Sequence, residues 1–410
     1  MEALGVRVFV DPAATAVALA AVSGGIALGA CSGLVPGLHV NALALLLAAA
    51  APMVPGPPHL VGAALLAAGV THSFLDVVPT LALGVPDPAL AVSALPGHRL
   101  VMGGRGREAL RVSALGSAAA VAVAFVLGLP VTWAARRVVP VVYAHLSVSY
   151  AALVLYLLAR ERTWRARLGG VLAVAASGLL GVVALPLSPR GVVQSGSVLA
   201  PLFAGLFGAP VLLAAYRGTG VPEQDDPEVA GSPRDVLEPG VAGSLAGAAV
   251  AYVPGISGAI AAVAALDASS TDGDRAFVAA LSGVNTANTV FALYALFALG
   301  DPHTGVLVAF ERARLPRTLP LLLASVALAA CVAAVLVPVL GDRYFRLVRR
   351  VDHQRLTLGV CALLVVLAAL FAGPVGVALL AVATVVGLIP PRFGARRVHL
   401  MGVLLVPLAV

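Results

Sequence analysis

Apolar runs follow one another along the whole chain, separated by short groups of polar residues, glycine and proline. A run of about 20 apolar residues crosses a bilayer core of roughly 30 Å as a helix. The pattern predicts spans near 13–34, 38–52, 59–84, 112–133, 138–159, 168–188, 192–216, 240–266, 276–300, 318–340, 356–373, 374–390 and 398–410. Some of these are too short to cross alone, so broken or re-entrant helices are expected among them. A membrane β-barrel would show short alternating segments instead. The expected fold is therefore an all-α polytopic membrane protein.

One run is interrupted where a crossing helix should continue. "GLVPGLHVNA" (33–42) holds the breakers Pro36 and Gly37 and the polar His39 and Asn41. A similar interruption, "AYVPGISGAI" (251–260), holds Pro254, Gly255, Ser257 and Gly258. Later matches, "LALGVPDP" and "FALGDPHT", keep the order: 254 − 36 is 218, 300 − 84 is 216 and 302 − 86 is 216. The matches predict two homologous halves, residues 1–216 and 240–410. An acidic, Pro/Gly-rich connecting loop, 217–239, joins them.

Backbone that leaves the helix inside a bilayer needs protein or a cavity around it, because lipid cannot satisfy its N–H and C=O groups. Paired Gly/Pro breaks at corresponding positions point to a transporter binding site. Helices that start after Pro36 and Pro254 would aim their positive ends at the midplane, which suits an anion. An ordinary proline kink with a packing glycine is the plainer alternative for either break taken singly.

Composition agrees with a membrane chain: 60% of the 410 residues are hydrophobic and 11% charged, against about 25% charged in soluble proteins. All 26 basic residues are arginine, and the formal charge is +7. In such a chain arginine clusters mark cytoplasmic loops and lipid headgroups rather than nucleic acid. The clusters at 98–111 and 159–167 lie two spans apart, as do those at 342–355 and 391–397. All four are expected on the cytoplasmic side, with 311–317 outside; equivalent loops on opposite faces would make the halves inverted repeats. The N-terminus, "MEALGVRVFVDP", has no clear basic region or A-x-A site, so no removable signal peptide is expected. Cys31, Cys331 and Cys361 sit in apolar runs without C-x-x-C spacing and are expected to be small hydrophobic residues.

Polar residues inside spans are costly and are functional candidates by default. "GVTHSFLD" (69–76) places His72 and Asp76 four residues apart on one helix face. His72 would carry a proton or bind an anion, and Asp76 a sodium ion or a proton; a structural polar pair is the alternative. "SGVNTANT" (282–289) groups Asn285, Thr286, Asn288 and Thr289, uncharged donors and acceptors suited to a carboxylate or phosphate. Asp76, Asn285 and Asn288 are the coupling-ion candidates. With the offset of 216, His72 corresponds to Asn288. His145 and the hydroxyls at 147–150 are expected to pack helices, and His59, His353 and His399 to sit at interfaces. No zinc-ligand spacing, G-x-S-x-G, Walker loop or G-x-G-x-x-G is present, so neither an enzyme nor a metal or organic cofactor is expected.

Four segments carry a resemblance: "GLVPGL" (33–38), "VPDPALAVSALPGHRLVMGGRGREALRVSALGS" (85–117), "AYVPGISGAIAAVAAL" (251–266) and "LSGVNTANTVFALYALFALGDP" (281–302). They resemble the large membrane subunit of tripartite tricarboxylate transporters, the TctA-like permeases, most closely a shorter, archaeal-type branch. The "GGRGREALRVSALGS" part is similar to the family's Q-G-R-A-G-x-A-L run and I-G-S helix, and Asn285 and Asn288 stand where its P-E-S-A-N-N run has its polar pair. The family's Glu before that run is absent, and "GLHVN" replaces a more glycine-rich pattern. The resemblance implies a multi-pass permease in a prokaryotic cell membrane, with an extracytoplasmic solute-binding protein and a small membrane subunit as partners.

The leading expectation is a secondary-active permease for a small organic anion of the carboxylate class, driven by Na+ or H+. The anion would lie at the two half-helix N-termini among Pro36, Gly37, His39, Asn41, His72, Pro254, Gly255, Ser257, Gly258, Asn285, Thr286, Asn288 and Thr289. Bulky residues at Gly37 or Gly255 should then weaken binding. The alternatives are a polyprenyl-phosphate translocase, with its lipid tail in the bilayer, and a membrane assembly protein without transport. A closed polar pocket would favour a soluble solute; a lateral aliphatic portal would favour the lipid.

Overall fold

The computed structural model describes residues 2–3, 6–7, 11–54, 56–84, 94–192, 198–216, 218, 220–225, 232–253, 255–267, 269–271, 273–300 and 304–409. Apart from a two-residue antiparallel pair at Glu2–Ala3 and Val6–Arg7, the described regular structure is helical. Among the described residues, seven helices are long and apolar enough to cross a membrane. The chain is a polytopic α-helical membrane protein.

Helix α1 (Pro12–Gly33) opens with Asp11 as its cap and proline in its first turn; the Asp11 side chain accepts from the amides of Ala13 and Ala14. After the break comes α2 (Val40–Ala50), then α3 (Pro58–Leu75), which runs on as α4 (Val77–Leu83) to Gly84 in the left-handed conformation. Three glycines set how α1 lies on α3. A Cβ would stand 2.2 Å from the Ala64 carbonyl oxygen at Gly25, 2.3 Å from that of Ala68 at Gly29 and 2.9 Å from that of His72 at Gly33. The contacts climb both helices together, so α1 and α3 run parallel. The chain must return along α2, which packs on the Gly305–Arg312 helix and on α3, so α1–α2 is a re-entrant hairpin whose tip, 34–39, is level with the middle of the Pro58–Leu83 span.

A later group of three helices shows a similar close approach. Helices α11 (Arg234–Tyr252), α12 (Gly258–Asp267) and α13 (Asp274–Leu299) follow in the same order, and α13 also ends at a left-handed glycine, Gly300. A Cβ at Gly243 would stand 2.2 Å from the Ala280 oxygen, and one at Gly247 2.9 Å from that of Val284. Gly243 and Gly247 lie 218 residues after Gly25 and Gly29; Ala280 and Val284 lie 216 after Ala64 and Ala68. Small residues let the backbones approach, which is how helices associate where there is no hydrophobic drive between them.

The run expected at 240–266 is thus two helices, since Val253 is extended and Gly255 left-handed. The run expected to begin at 138 lies partly inside α6 (Gly106–Ala144), which continues through Pro130 and Pro140. Each proline costs one hydrogen bond there without ending the helix.

The remaining elements are α5 (Ala94–Met102), α7 (Leu146–Ala159), α8 (Trp164–Ala184), α9 (Leu199–Phe203), a π turn at Ala204–Gly208, and α10 (Ala209–Ala215). After α13 come α14 (Gly305–Arg312), α15 (Leu319–Arg350), α16 (His353–Gly387), α17 (Ile389–Phe393) and α18 (Gly402–Ala409). At Gly373 (φ 60°) α16 folds back on itself, and a Cβ at Gly376 would lie 2.3 Å from the Ala368 oxygen.

Packing crosses between the halves reciprocally. Helix α13 lies on α6 and α15 on α3; α9 and α10 lie on α16, and α18 on α7 and α8. One apolar core takes residues from α3, α6, α13 and α15, and a second from α7, α8, α9, α16 and α18, so neither half encloses its own core.

Directions follow from end contacts. The first turns of α6 and α13 meet, with Arg275 Nε 2.7 Å from Glu108 Oε1, and further along Gly128 faces Tyr294. Gly62 near the start of α3 faces Leu315, just before α15, while Ala82 and Leu83 share a cavity with Val348 near the end of α15. Arg107 at the start of α6 bonds Asp342 near the end of α15 at 2.6 Å. Hence α3 runs opposite to α13, and α6 opposite to α15.

The arginine clusters at 98–111, 159–167, 342–355 and 391–397 gather on one face. Arg107–Asp342, Arg160–Asp267 and Arg396–Glu161 tie the segments of that face together. The 311–317 segment lies at the other end, beside the start of α3. Of the connecting loop, described residues 220–225 dock on the arginine-rich face: the buried Gln224 donates to the Val101 carbonyl at 3.1 Å and accepts from the Gly106 amide at 2.6 Å, and from Arg234 the expected loop is already helix α11.

Candidate functional site

Each hairpin tip is built alike. Gly37 (φ 78°) and Gly255 (φ 75°) take the left-handed conformation that an L side chain rarely adopts. The next two residues are non-helical, and then α2 and α12 begin. Ser257 caps α12, its hydroxyl accepting from the Ile260 amide at 3.3 Å and its carbonyl from the Ala261 amide at 3.0 Å. His39 holds the corresponding place before α2, its carbonyl accepting from Leu43 at 3.1 Å.

The two tips border one cavity of about 200 Å³. His39 and Val40 come from the first tip; Val253, Gly255, Ile256, Ser257 and Gly258 come from the second. Helix α3 adds Ser73, and α13 adds Asn285, Asn288 and Thr289. Thr304, Phe203, Met401 and Leu404 join the wall, and Val250, Val284, Gly305 and Val306 complete it. The starts of two helices thus meet at one cavity, in which polar groups stand among apolar side chains, level with the middles of α3 and α13.

Of the predicted site residues, His39, Gly255, Ser257, Gly258, Asn285, Asn288 and Thr289 line this cavity. Pro36 and Gly37 do not, and a Cβ at Gly37 would stand 2.4 Å from Leu364 Cδ2. A Cβ at Gly255 would stand 2.5 Å from Leu408 Cδ1. Both glycines are therefore demanded by backbone conformation and by neighbours. Thr286 turns its hydroxyl back to the Ser282 carbonyl at 2.9 Å, a helix-internal bond. Pro254 lies outside the described residues, as does the side chain of Asn41.

His72 and Asp76 stand one layer behind the cavity. His72 is fully buried, with Nδ1 2.9 Å from the Ser32 hydroxyl and Nε2 without a hydrogen-bond partner. Asp76, also buried, accepts from Asn285 Nδ2 at 3.0 Å through Oδ2, and the same amide donates to the Ser73 carbonyl at 3.1 Å. A carboxylate therefore sits one hydrogen bond from a cavity-lining amide. Asn288 Oδ1 and Thr304 Oγ1, both on the cavity wall, are buried without hydrogen-bond partners; such groups are uncommon, and each calls for a reason.

The sequence reading missed Ser32, Thr304, Phe203, Met401 and Leu404. Ser32 and Thr304 are single hydroxyls beside glycines and carry no pattern. Phe203 directly precedes the π turn, an irregularity frequent at functional sites, yet "LFAGLFG" shows no sign of it. Arg99 does not approach the cavity; it pairs with Asp274 on the arginine-rich face. His145, expected to pack helices, is exposed and bonds the Val141 carbonyl at the end of its own helix, whereas Ser147 joins α7 to α18 by donating to the Ala409 carbonyl at 2.6 Å.

His399, expected at an interface, is instead buried with Nε2 2.8 Å from Glu161 Oε1. Burial pushes the Glu161 carboxyl up, but bonds from the Arg396 amide and His399 and the Arg396 charge outweigh it, and the pKa lies below the usual range. Burial holds His399 below its ordinary value, opposed by Glu161. This cluster pins the 391–401 segment to the turn between α7 and α8.

Among the described residues, no group of three or more His, Cys, Asp or Glu is placed to hold a metal ion. The model of the Tripartite tricarboxylate transporter TctA family matches residues 19–402. An uncharacterized protein of Methanocaldococcus jannaschii is 24% identical over 346 residues, 82% of each chain. No solved structure matches the chain.

Proposed function

The chain belongs to the Tripartite tricarboxylate transporter TctA family, and from that premise we propose that it is a secondary-active permease for a small organic anion of the carboxylate class. Family members are transporters, and a solute-binding protein and a small membrane subunit are the partners that the family's tripartite organisation implies.

The observation that carries the reading is the meeting of two helix starts at one cavity whose wall also holds amide and hydroxyl groups. Each helix end offers roughly half a positive charge and free amides. Together they balance about one negative charge, and Ser257, Asn285, Asn288, Thr289 and Thr304 offer hydrogen bonds to the remaining oxygens. A volume of about 200 Å³ equals about seven waters at ~30 Å³ each and is below the ~300–1,000 Å³ of sites for drug-sized ligands. That size suits a compact solute better than a polyprenyl chain.

Asp76 gives the coupling. Its carboxylate lies one amide from the cavity, so an anion bound there would be repelled unless a cation came with it. We assign Na+ or H+ to the Asp76–Asn285 pair, which ties anion binding to a driving ion. The reciprocal packing and the opposed directions of α3 and α13 support inverted repeats, in which one part rocks against the other around the fixed site. The arginine-rich face is then cytoplasmic in a prokaryotic cell membrane.

The test is uptake into proteoliposomes holding the chain with its partner subunits, under imposed Na+ and pH gradients. Saturable, gradient-driven uptake of a mono- or dicarboxylate supports the proposal. Movement of a polyprenyl phosphate without carboxylate uptake would replace it with the lipid-carrier reading, and movement of neither would sink it.

A further inference from the structure

The first two turns of α6 and the last turns of α15 border a second cavity, about 520 Å³ and open to the outside, on the arginine-rich face. It is far from the hairpin tips and plays no part in the transport reading. Arg107 and Arg111 enter it from α6, and Arg343 and Arg346 from α15. Asp342 stands among them, 2.6 Å from Arg107 Nε and 2.8 Å from Arg346 Nη2. Four guanidinium groups against one carboxylate leave a net charge of +3. Asp342 holds two of the arginines by one edge each.

The other wall is apolar. Leu110, Pro338 and Val339 line the cavity below the arginines. Along the same two helices, toward the membrane interior, Leu115 is 50% exposed and Val335 64% exposed. The cavity therefore opens along an apolar seam between two membrane-crossing helices, with its positive charge concentrated at the interfacial end. Planar guanidinium forks bind phosphate oxygens in pairs, and basic pockets between crossing helices suit anionic headgroups.

We propose that this cavity binds the headgroup of an anionic phospholipid, best one with two phosphates such as a diphosphatidylglycerol, whose acyl chains lie along the α6–α15 seam. A headgroup of charge −2 is matched by the +3 cavity, and the apolar seam takes what a free phosphate does not possess.

The test uses the full chain in a zwitterionic detergent. Tetraoleoyl diphosphatidylglycerol, dioleoyl phosphatidylcholine and inorganic phosphate are titrated separately and followed by thermal midpoint and by native mass spectrometry. The protein is wild type, Arg111→Gln/Arg343→Gln, which leaves the Asp342 pairs in place, or Arg136→Gln at the far end of α6. The diphosphate lipid should bind and raise the midpoint of wild type and Arg136→Gln. Its affinity should fall about thirtyfold in the double variant, at roughly one surface-charge contribution per arginine. Equal binding by the double variant, equal stabilisation by phosphatidylcholine, or full competition by inorganic phosphate would each overturn the proposal. If the double variant fails to fold, Arg111→Lys/Arg343→Lys serves instead: it keeps the charge and should lose part of the affinity, and unchanged affinity would also count against the paired-fork geometry.

Discussion

Replacing Gly25 by alanine tests how the hairpins are seated. A Cβ there stands 2.2 Å from the Ala64 oxygen, with the Ala64 carbonyl carbon and Cα both at 2.9 Å. Close carbon–oxygen contacts in proteins fall at about 3.3 Å, so α1 must retreat from α3 by about 1.1 Å. All three nearest atoms are backbone, and no rotamer change relieves the clash. Overpacking of this kind costs about 1–3 kcal/mol. Gly24, one residue earlier, has nothing within 4 Å of a built Cβ. Alanine there should stabilise by about 0.5–1 kcal/mol, the usual gain for a helix interior. Gly243→Ala repeats the test on α11, again at 2.2 Å from a carbonyl oxygen. Thermal midpoints of the purified variants are the assay: Gly25→Ala and Gly243→Ala should fall together, while Gly24→Ala stays level or rises. The same two variants should bind the transported anion less well, because the tip of each hairpin shifts with its helix. Equal effects at Gly24 and Gly25 would refute the close-packed seam, and loss at Gly25 without loss at Gly243 would refute the equivalence of the two hairpins.

Asp76→Asn keeps the shape next to Asn285 but removes the charge. Uptake should lose its dependence on the driving gradient while anion binding persists; unchanged ion dependence would remove Asp76 from the coupling. A singly or doubly charged carboxylate should bind more tightly than a fully ionised tricarboxylate, measured by calorimetry at pH 8, since the cavity wall holds no arginine. Acidification should loosen the 391–401 segment. Glu161 and His399 are both depressed in the folded state, so the unfolded chain takes up more protons as pH falls. Stability present at neutral pH declines below the ordinary His value of about 6.5 and further as Glu161 is protonated. Thermal midpoints between pH 8 and 5 should drop for wild type and less for Glu161→Gln; parallel curves would count against the cluster.

The membrane class was legible because apolar length is a one-dimensional property. The two breaks were legible for a related reason: proline and glycine at 36–37, and again at 254–255, mark backbone that cannot stay helical. Their offset also located Ser257 opposite His39. The re-entrant course of α2 was less visible, since eleven apolar residues look the same whether they return or continue. What fixes it is the Gly25–Ala64 and Gly29–Ala68 contacts, and these depend on which helices become neighbours. The cavity wall was legible only in part for that reason. Asn285 and Asn288 stand out as amides in an apolar run, whereas Phe203, Met401 and Leu404 are ordinary apolar residues brought in by α9 and the C-terminal segment packing across the halves. Thr286 shows the converse error, because a threonine in a polar cluster can spend its hydroxyl on the carbonyl one turn earlier.

The account rests on an anion lying between the two hairpin tips, and substrate protection of a single cysteine reads this directly. With Cys31, Cys331 and Cys361 replaced by alanine, Ser257→Cys places a thiol on the cavity wall and Arg111→Cys places one on the arginine-rich face as a control. Labelling by a small thiol reagent is followed with and without a saturating carboxylate. The account predicts that the carboxylate slows labelling at position 257 several-fold and leaves position 111 unchanged. Labelling at 257 that proceeds at the same rate with the transported anion present would contradict it.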